Sequence, residues 1–171
     1  IMMQKIMNDP ILTYDKKTEQ ILSIFNVAKH TTRLTAQYLL IYNKKLFWEM
    51  IYQFDTKDII DLLWYIQFDD VNFDMVKIND LLIQIYSAKG YLDTGCKATS
   101  IVDLDILSLL NTSDKDLRGR VDLGFDFVCK KCKKTHPMYE ARCPHCHSIL
   151  SFSVKPKLIK RMNIEENLSL Q

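Results

Sequence analysis

Four cysteines with paired spacing constrain the fold of this chain more than any other feature. Cys129 and Cys132 form one C-x2-C pair, and Cys143 and Cys146 form a second pair after ten intervening residues. Each pair places two thiolates on one tight turn, and two such turns together complete a tetrahedral shell of four sulfurs. A shell of this kind suits zinc or a single iron ion. We therefore predict that these four cysteines are metal ligands.

The alternative interpretation of the same spacing is a pair of disulfides, which requires an oxidising compartment that the rest of the sequence does not indicate. A closed four-cysteine shell leaves no coordination position for water, so the spacing favours a structural site over hydrolytic zinc chemistry. His145 and His147 are predicted to stay outside the shell, because the cysteines already complete it. Cys96 has no partner nearby in sequence and is predicted to be a free thiol in a loop. The sequence offers no candidate catalytic residue.

The residues before the cysteines predict a helical body. Only 4 Gly and 4 Pro occur in 171 residues, which disfavours a turn-rich all-β fold. Apolar residues recur at helical spacing, so we predict a mainly α fold built as an array of antiparallel helices. Thr56 is the predicted cap of the fourth helix, and Gly90 follows the fifth, which spans about 76–89. The six predicted helices begin near Asp15, Thr32, Lys44, Thr56, Val76 and Ser100.

Two segments of the helical body share a pattern. Phe54–Leu63 and Phe73–Leu82 both fit FD-x3-I-x-DLL, at an offset of 19 residues. The pattern predicts either paired helices of a repeat array or two unrelated amphipathic helices of similar length.

Changes in composition divide the sequence into three parts. The polar run Asn111–Gly124 predicts a linker, and β-favouring residues at Phe125–Cys129 and Ile149–Val154 predict two short strands beside the cysteine turns. The ribbon has few large apolar side chains, so metal binding must supply part of its folding free energy. The predicted parts are a helical domain at 1–120 that could end a longer repeat array, a zinc ribbon at 124–156 and a tail at 157–171.

Charge is distributed unevenly along the sequence. Residues 1–128 carry 14 Lys+Arg and 18 Asp+Glu, whereas residues 129–161 carry 9 Lys+Arg against Glu140 alone. This basic ribbon could meet a nucleic acid, an anionic lipid or an acidic protein face. A nucleic-acid-binding ribbon using residues 130–161 is the alternative function. No apolar run reaches the 18 residues of a membrane span. Because the sequence begins with Ile1, we expect it to belong to a longer protein, in which a membrane anchor could precede this residue.

The ribbon resembles the rubredoxin-like domain that ends the lipopolysaccharide assembly protein B family, bacterial proteins with helical tetratricopeptide-type repeats. That family shares the spacing C-x2-C, ten residues, C-P-x-C, and continues into a strand and a Lys-Pro, as Ser151–Pro156 does here. The order of parts also matches, with helices first and the ribbon last. This sequence departs from the family pattern at Lys133, where a Gly is usual, and at Ala141, where an aromatic residue is usual.

The resemblance implies a non-enzymatic scaffold. In that family the helical repeats bind protein clients, and the protein is a membrane-anchored cytoplasmic adaptor that controls proteolysis of a lipid A biosynthetic enzyme. By the resemblance we expect protein partners and a place in the cytoplasm at the inner face of the membrane. A similar ribbon opens the RadA-type DNA repair proteins, but their ATPase phosphate loop is missing from this sequence. An iron-loaded ribbon would instead imply rubredoxin-like electron transfer.

Overall fold

The computed structural model describes residues 2–93, 99–113 and 115–161. Cys96 and the last ten residues of the predicted tail lie outside these ranges. Within them the protein is mainly helical and ends in a three-stranded antiparallel sheet. The described α-helices are α1 Met2–Asn8, α2 Tyr14–Val27, α3 Thr32–Tyr42, α4 Lys44–Glu49, α5 Ile60–Tyr65, α6 Phe73–Val76, α7 Asp80–Ala88, α8 Val102–Ser113 and α9 Lys115–Arg120. The 3-10 turns are Lys29–Thr31, Ile51–Gln53, Thr56–Ile59 and Phe68–Asp70.

Polar side chains set the starts of two helical segments differently from the prediction. Asp55, rather than Thr56, caps the fourth helical segment by accepting a hydrogen bond from the Lys57 backbone N–H at 3.0 Å, and Thr56 is buried. The predicted fifth helix is interrupted before α7, because the Asn79 side chain accepts hydrogen bonds from the backbone N–H groups of Leu81 and Leu82. A side-chain oxygen that bonds these amides favours a helix start over continuation of the preceding turn.

Gly90 ends α7 as predicted. Its φ is +78°, in the left-handed region that glycine enters without steric cost. The Tyr91 N–H donates to the Tyr86 carbonyl at 2.8 Å, and the Gly90 N–H donates to the Ser87 carbonyl at 2.9 Å. These two bonds satisfy helix-terminal carbonyls in the Schellman arrangement.

The two copies of the FD-x3-I-x-DLL pattern fold differently. The first passes from the 3-10 turn at Thr56–Ile59 directly into α5, whereas the second spans α6, a break and the start of α7. Ile59 is fully buried, but the matching Ile78 is 70 % exposed. The matching residues Ile59 and Ile78 therefore lie in different environments.

The prediction of a linker at Asn111–Gly124 is wrong, because polar residues of this segment form hydrogen bonds to other elements of the fold. It contains the end of α8, all of α9 and the first residues of the sheet. The Asn111 side-chain amide donates to the carbonyls of Ser87 at 2.8 Å and Ala88 at 2.9 Å, and Arg118 also donates to the Ala88 carbonyl at 3.0 Å. These side chains satisfy carbonyls at the C-terminus of α7, so their polarity reflects capping rather than solvation.

The sheet is larger than the predicted strands. Its strands are β1 Val121–Cys129, β2 Thr135–His136 and β3 Phe152–Lys160, arranged in the order β2-β1-β3. Strands β1 and β3 pair along their whole length, from Val121 opposite Lys160 to Cys129 opposite Phe152. The prediction of a tail from residue 157 is therefore wrong up to Lys160, and the predicted ribbon border at residue 124 lies inside β1. Pro156 is tolerated in β3 because this strand lies at an edge of the sheet.

Two apolar clusters support these elements. The larger one joins the helices to the first half of the sheet through Leu123, with Val121, Phe125, Val154 and Leu158 packed against it. The smaller one surrounds the cysteines and contains Phe127, Cys129, Cys143 and Phe152, with Tyr139 at its border. The helical body and the ribbon thus share one sheet, whose far end carries the cysteines. Within the described ranges, no helix is long and apolar enough to cross a membrane.

Candidate metal centre

The first cysteine turn is closed by backbone hydrogen bonds. Strand β1 ends at Cys129, whose N–H donates to the Lys134 carbonyl at 3.0 Å, and the Lys133 N–H donates back to the Cys129 carbonyl at 2.9 Å. Lys133 has a φ of +62°. This is the left-handed conformation that a glycine adopts most easily, and Lys133 adopts it here in spite of its side chain. The turn brings the side chains of Cys129 and Cys132 close together.

The second cysteine turn repeats the geometry of the first. The Cys143 N–H donates to the Ser148 carbonyl at 2.8 Å, and the His147 N–H donates to the Cys143 carbonyl at 2.9 Å. His147 has a φ of +59° and follows Cys146, as Lys133 follows Cys132. Two backbone turns of equal construction therefore face each other, each presenting two sulfurs.

The four cysteines are brought together as predicted. Their sulfurs all lie within 4.8 Å of one another, and the group could hold a metal ion. The Sγ atoms of Cys129 and Cys146 are 3.6 Å apart, and those of Cys132 and Cys143 are 3.7 Å apart. A tetrahedral zinc site with Zn–S bonds of about 2.3 Å requires sulfur–sulfur distances of about 3.8 Å, so the donor set fits such an ion. These separations are far from the S–S bond of a disulfide, about 2.05 Å.

Burial differs among the four ligand positions. Cys129 and Cys143 are buried, Cys132 is half-buried and Cys146 is exposed. Cys129 and Cys143 belong to the cluster with the aromatic residues of the ribbon, and Cys132 packs against that cluster. His145 and His147 lie outside the four-sulfur group.

Two serine hydroxyls lie against the sulfurs, a feature that the cysteine spacing does not predict. Ser148 Oγ is 3.0 Å from Cys146 Sγ and 3.4 Å from Cys129 Sγ. Ser151 Oγ is 3.3 Å from Cys129 Sγ, and the two hydroxyl oxygens are 2.6 Å apart. Hydroxyl donors next to a metal ligand orient it and stabilise its charged form. On the opposite side, His136 Nε2 lies 3.8 Å from Cys143 Sγ.

These hydroxyls change the acidity of the thiols. Hydrogen bonds from Ser148 first, and from Ser151 second, lower the pKa of Cys129 to about 5. The Ser148 hydroxyl and then its backbone N–H lower the pKa of Cys146 as well. The backbone N–H of Lys134 acts to lower the pKa of Cys132, but burial and the neighbouring sulfurs outweigh it and raise that pKa to about 11. The serine contacts thus favour the thiolate, which is the form that binds metal, at Cys129 and Cys146.

A buried arginine fastens the ribbon to the helices. Arg33 of α3 and Asp61 of α5 form a two-pronged ion pair at 2.6 and 2.5 Å, and each side chain is only 8 % exposed. Arg33 also donates to the Asp58 carbonyl at 3.2 Å. The Cζ atom of Arg33 lies 4.1 Å from the ring centre of Tyr139 and 5.2 Å from that of Phe127. A cation over aromatic faces attracts them electrostatically.

The aromatic residues of the ribbon connect this arginine to the cysteines. Tyr139 packs at 5.9 Å, between ring centres, from both Phe127 and Phe152. Phe127 and Phe152 belong to the cluster that contains Cys129 and Cys143. The contacts therefore run without interruption from Asp61 through the arginine and the aromatic rings to the buried ligands.

The residues themselves are the basis for assigning this site. No protein-family model, no curated protein and no solved structure matches this sequence. The cysteine spacing was sufficient to predict the four-sulfur group. No local signal marks Arg33, since its partners are 25 or more residues away in the sequence. The serines could have been noticed from their positions beside the last cysteine, because polar residues near a ligand commonly bond it.

Replacing both serines should weaken metal binding. We expect the double variant Ser148→Ala/Ser151→Ala to bind metal about 10- to 100-fold more weakly. Without the hydroxyls, the pKa of Cys129 rises toward its ordinary value, so protons compete with metal at a higher pH and metal release on acidification begins earlier. Competition with a chromophoric chelator across pH measures both effects. Ser153→Ala is the control, because its hydroxyl donates to the Val128 carbonyl and not to a sulfur. Equal affinity of the two proteins at every pH would contradict this role.

Removing the buried arginine should destabilise the whole fold. Arg33→Met leaves the Asp61 carboxylate buried without its partner, so we expect a loss of about 3–5 kcal/mol in the free energy of unfolding. The double variant Arg33→Met/Asp61→Leu should lose less, because no charge is left uncompensated. Lys44→Met removes the exposed ion pair with Asp70 and should cost about 1 kcal/mol or less. Urea unfolding measures the free energy of unfolding of all three variants. If Arg33→Met lost no more of this free energy than Lys44→Met, the buried ion pair would not have the stabilising role assigned to it.

Proposed function

We propose that this protein is a non-enzymatic scaffold that binds a protein partner on its helical face, with the four-cysteine ribbon as a structural zinc clip. The observation that carries the proposal is an apolar groove of about 450 Å³ beside α3. We define the groove by Met7, Leu34, Leu40, Ile41, Tyr42 and Leu62, which line it. Apolar grooves between helices are the usual receptors for an amphipathic segment of a partner protein.

Exposure within the groove supports this assignment. Ile41 is 71 % exposed, and Tyr42 is also exposed, although both lie on a helix whose other face is fully packed. Tyr42 is held in place by ring contacts with Tyr14 at 5.3 Å and Tyr38 at 5.0 Å. A preorganised apolar surface loses little side-chain entropy on binding, which favours affinity for an apolar partner.

The proposed metal is zinc, and its proposed role is structural. Four thiolates complete a tetrahedral shell around a divalent ion and leave no position for a water nucleophile. Zinc with four thiolates carries a net charge of −2, which Lys131, Lys133 and Lys134 on the turns partly offset. In this proposal the ion orders the ribbon, and the ribbon in turn covers Arg33.

Within the scaffold class, the resemblance of the ribbon favours an adaptor in bacterial lipopolysaccharide assembly, at the cytoplasmic face of the inner membrane. A nucleic-acid role for the basic ribbon is less favoured by the contacts of its side chains. Tyr139 is covered by Arg33, and its ring packs against Phe127 and Phe152. Lys130 lies 3.6 Å from Asp58 of the helical body. Both side chains therefore have partners within the protein, whereas nucleic-acid binding needs free aromatic faces and free cations.

Metal analysis tests the zinc assignment. We expect one zinc per protein molecule and no visible absorption, because zinc has a filled d shell. Cys143→Ser should lose the zinc, whereas Cys96→Ser, which leaves the four-sulfur group unchanged, should retain it. Elemental analysis and an absorption spectrum of each purified protein provide the measurement. Stoichiometric iron with strong visible absorption would replace the structural proposal with an electron-transfer one.

A charged substitution in the groove tests the scaffold assignment. Ile41→Glu should abolish the binding of apolar peptides, because it places a charge on the surface that the partner covers. Ile78→Glu is the matched control, since Ile78 is 70 % exposed and lies outside the groove. The measurement is enrichment of peptides from a random twelve-residue displayed library, with urea unfolding to verify that both variants fold. If neither the unaltered protein nor Ile78→Glu enriches any peptide, while the protein binds single-stranded DNA or RNA with a steep salt dependence, the nucleic-acid alternative is correct.

A further inference from the structure

A second, chemically different pocket lies where the helices meet the start of the sheet. It has a volume of about 290 Å³ and is lined by three cations from separate elements: Lys89 after α7, Arg118 of α9 and Arg161 after β3. Its aromatic walls are Trp64, Tyr65 and Tyr91. We call this the basic pocket. It lies at the end of β1 and β3 opposite to the cysteines.

The cations of the basic pocket are not balanced by acids within it. Asp122 is the one carboxylate among the described lining residues, and its oxygen is 3.7 Å from Arg161 Nε. Lys89 donates to the neutral carbonyl of Ile66 at 2.5 Å, and Arg118 donates to that of Val121 at 2.7 Å. Three positive charges therefore face one negative charge.

Burial makes this imbalance costly for the free protein. It lowers the pKa of Lys89 to about 8, although Asp122 acts in the opposite direction. Burial first, and the charge of Arg161 second, lower the pKa of Arg118. In addition, Arg118 Nε is buried without a hydrogen-bond partner among the described residues. An anion that enters the pocket would relieve the repulsion and be stabilised by partly desolvated cations.

The basic pocket is linked to the apolar groove through residues that line a depression between them. The groove shares Leu40 and Leu62 with a small intervening depression, and that depression shares Tyr65 and Gln67 with the basic pocket. One series of adjacent depressions thus extends from an apolar end beside α1 and α3 to a cationic end beside Arg161. Its charge pattern specifies the complementary ligand, which is apolar along most of its length and anionic at one end.

We propose that the basic pocket receives a carboxylate of the same protein segment whose apolar side chains fill the groove. The partner is then an apolar peptide segment that ends in an acidic group, supplied either by an Asp or Glu residue or by the free C-terminus of the partner. The inference rests on the proposed scaffold function and adds the chemistry of its partner. Arg161 and Lys89 bind the carboxylate, and Tyr65 separates its site from the apolar part.

The experiment uses the full-length protein with its metal and a random library of twelve-residue peptides with free C-termini. We expect the enriched peptides to combine an apolar run with an acidic group at one end. The strongest binder is then synthesised in three forms: unaltered, with each Asp or Glu changed to its amide, and with an amidated C-terminus. Fluorescence anisotropy gives the dissociation constants. Weaker binding of the second form identifies the carboxylate of an Asp or Glu residue, and weaker binding of the third identifies a terminal one.

Two variants of the protein locate the carboxylate. The Arg161→Glu variant should bind the unaltered peptide about 10-fold more weakly than the unaltered protein does. For the neutralised peptide, the variant and the unaltered protein should have equal dissociation constants. Lys160→Glu is the control, since Lys160 carries the same charge one residue earlier and does not line the pocket. Asp122→Asn removes the acid that already occupies the pocket and should tighten binding of the acidic peptide. A purely structural role for Asp122 does not predict tighter binding.

The outcomes separate this inference from the function on which it rests. Apolar peptides that are enriched without any acidic preference, or that bind Arg161→Glu as tightly as the unaltered protein, overturn the inference and leave the groove function standing. A library from which the unaltered protein enriches nothing overturns both. If Ile41→Glu loses peptide binding and Lys160→Glu still prefers acidic peptides, both the inference and the groove function are supported.

Discussion

The buried ion pair between Arg33 and Asp61 is the contact on which the arrangement of the two halves depends. Burying two charges is unfavourable unless both are well paired. Here Arg33 makes two direct hydrogen bonds to Asp61 and one to the Asp58 carbonyl, while its Nε has no hydrogen-bond partner among the described residues. The remaining face of Arg33 lies on Tyr139 and is shielded from water by the ribbon. Ribbon docking and helix packing are therefore coupled, because an undocked ribbon would expose the pair to solvent.

Much of the candidate site could be predicted, because its determinants are local. Two C-x2-C pairs define their own turns, and Gly90 ends a helix by its own backbone freedom. The rest depends on partners that are distant in sequence. Asn111 is indistinguishable from a linker residue until α7 lies beside it, and no feature near Arg33 predicts a tyrosine more than 100 residues later. The length of β3 was missed for the same reason, since its last residues are strand only because β1 pairs with them.

The sheet separates the four-cysteine group from the basic pocket. Asp122 and Cys129 are seven residues apart on one extended strand, which places them about 24 Å from each other. An ion held by the four cysteines would therefore not contact a ligand of the basic pocket. Such an ion would act on the helical face only by fixing one end of a nine-residue ladder, whose other end carries Arg161 and Asp122.

The outer edge of β3 limits how this protein associates with others. An edge strand with free backbone groups recruits further strands, and proteins prevent this with proline and charged side chains. Pro156 removes one donor from β3, and Lys155, Lys157 and Lys160 surround it with positive charge. The opposite edge, β2, is only two residues long. Strand addition and end-to-end polymerisation of sheets are thus disfavoured on both sides.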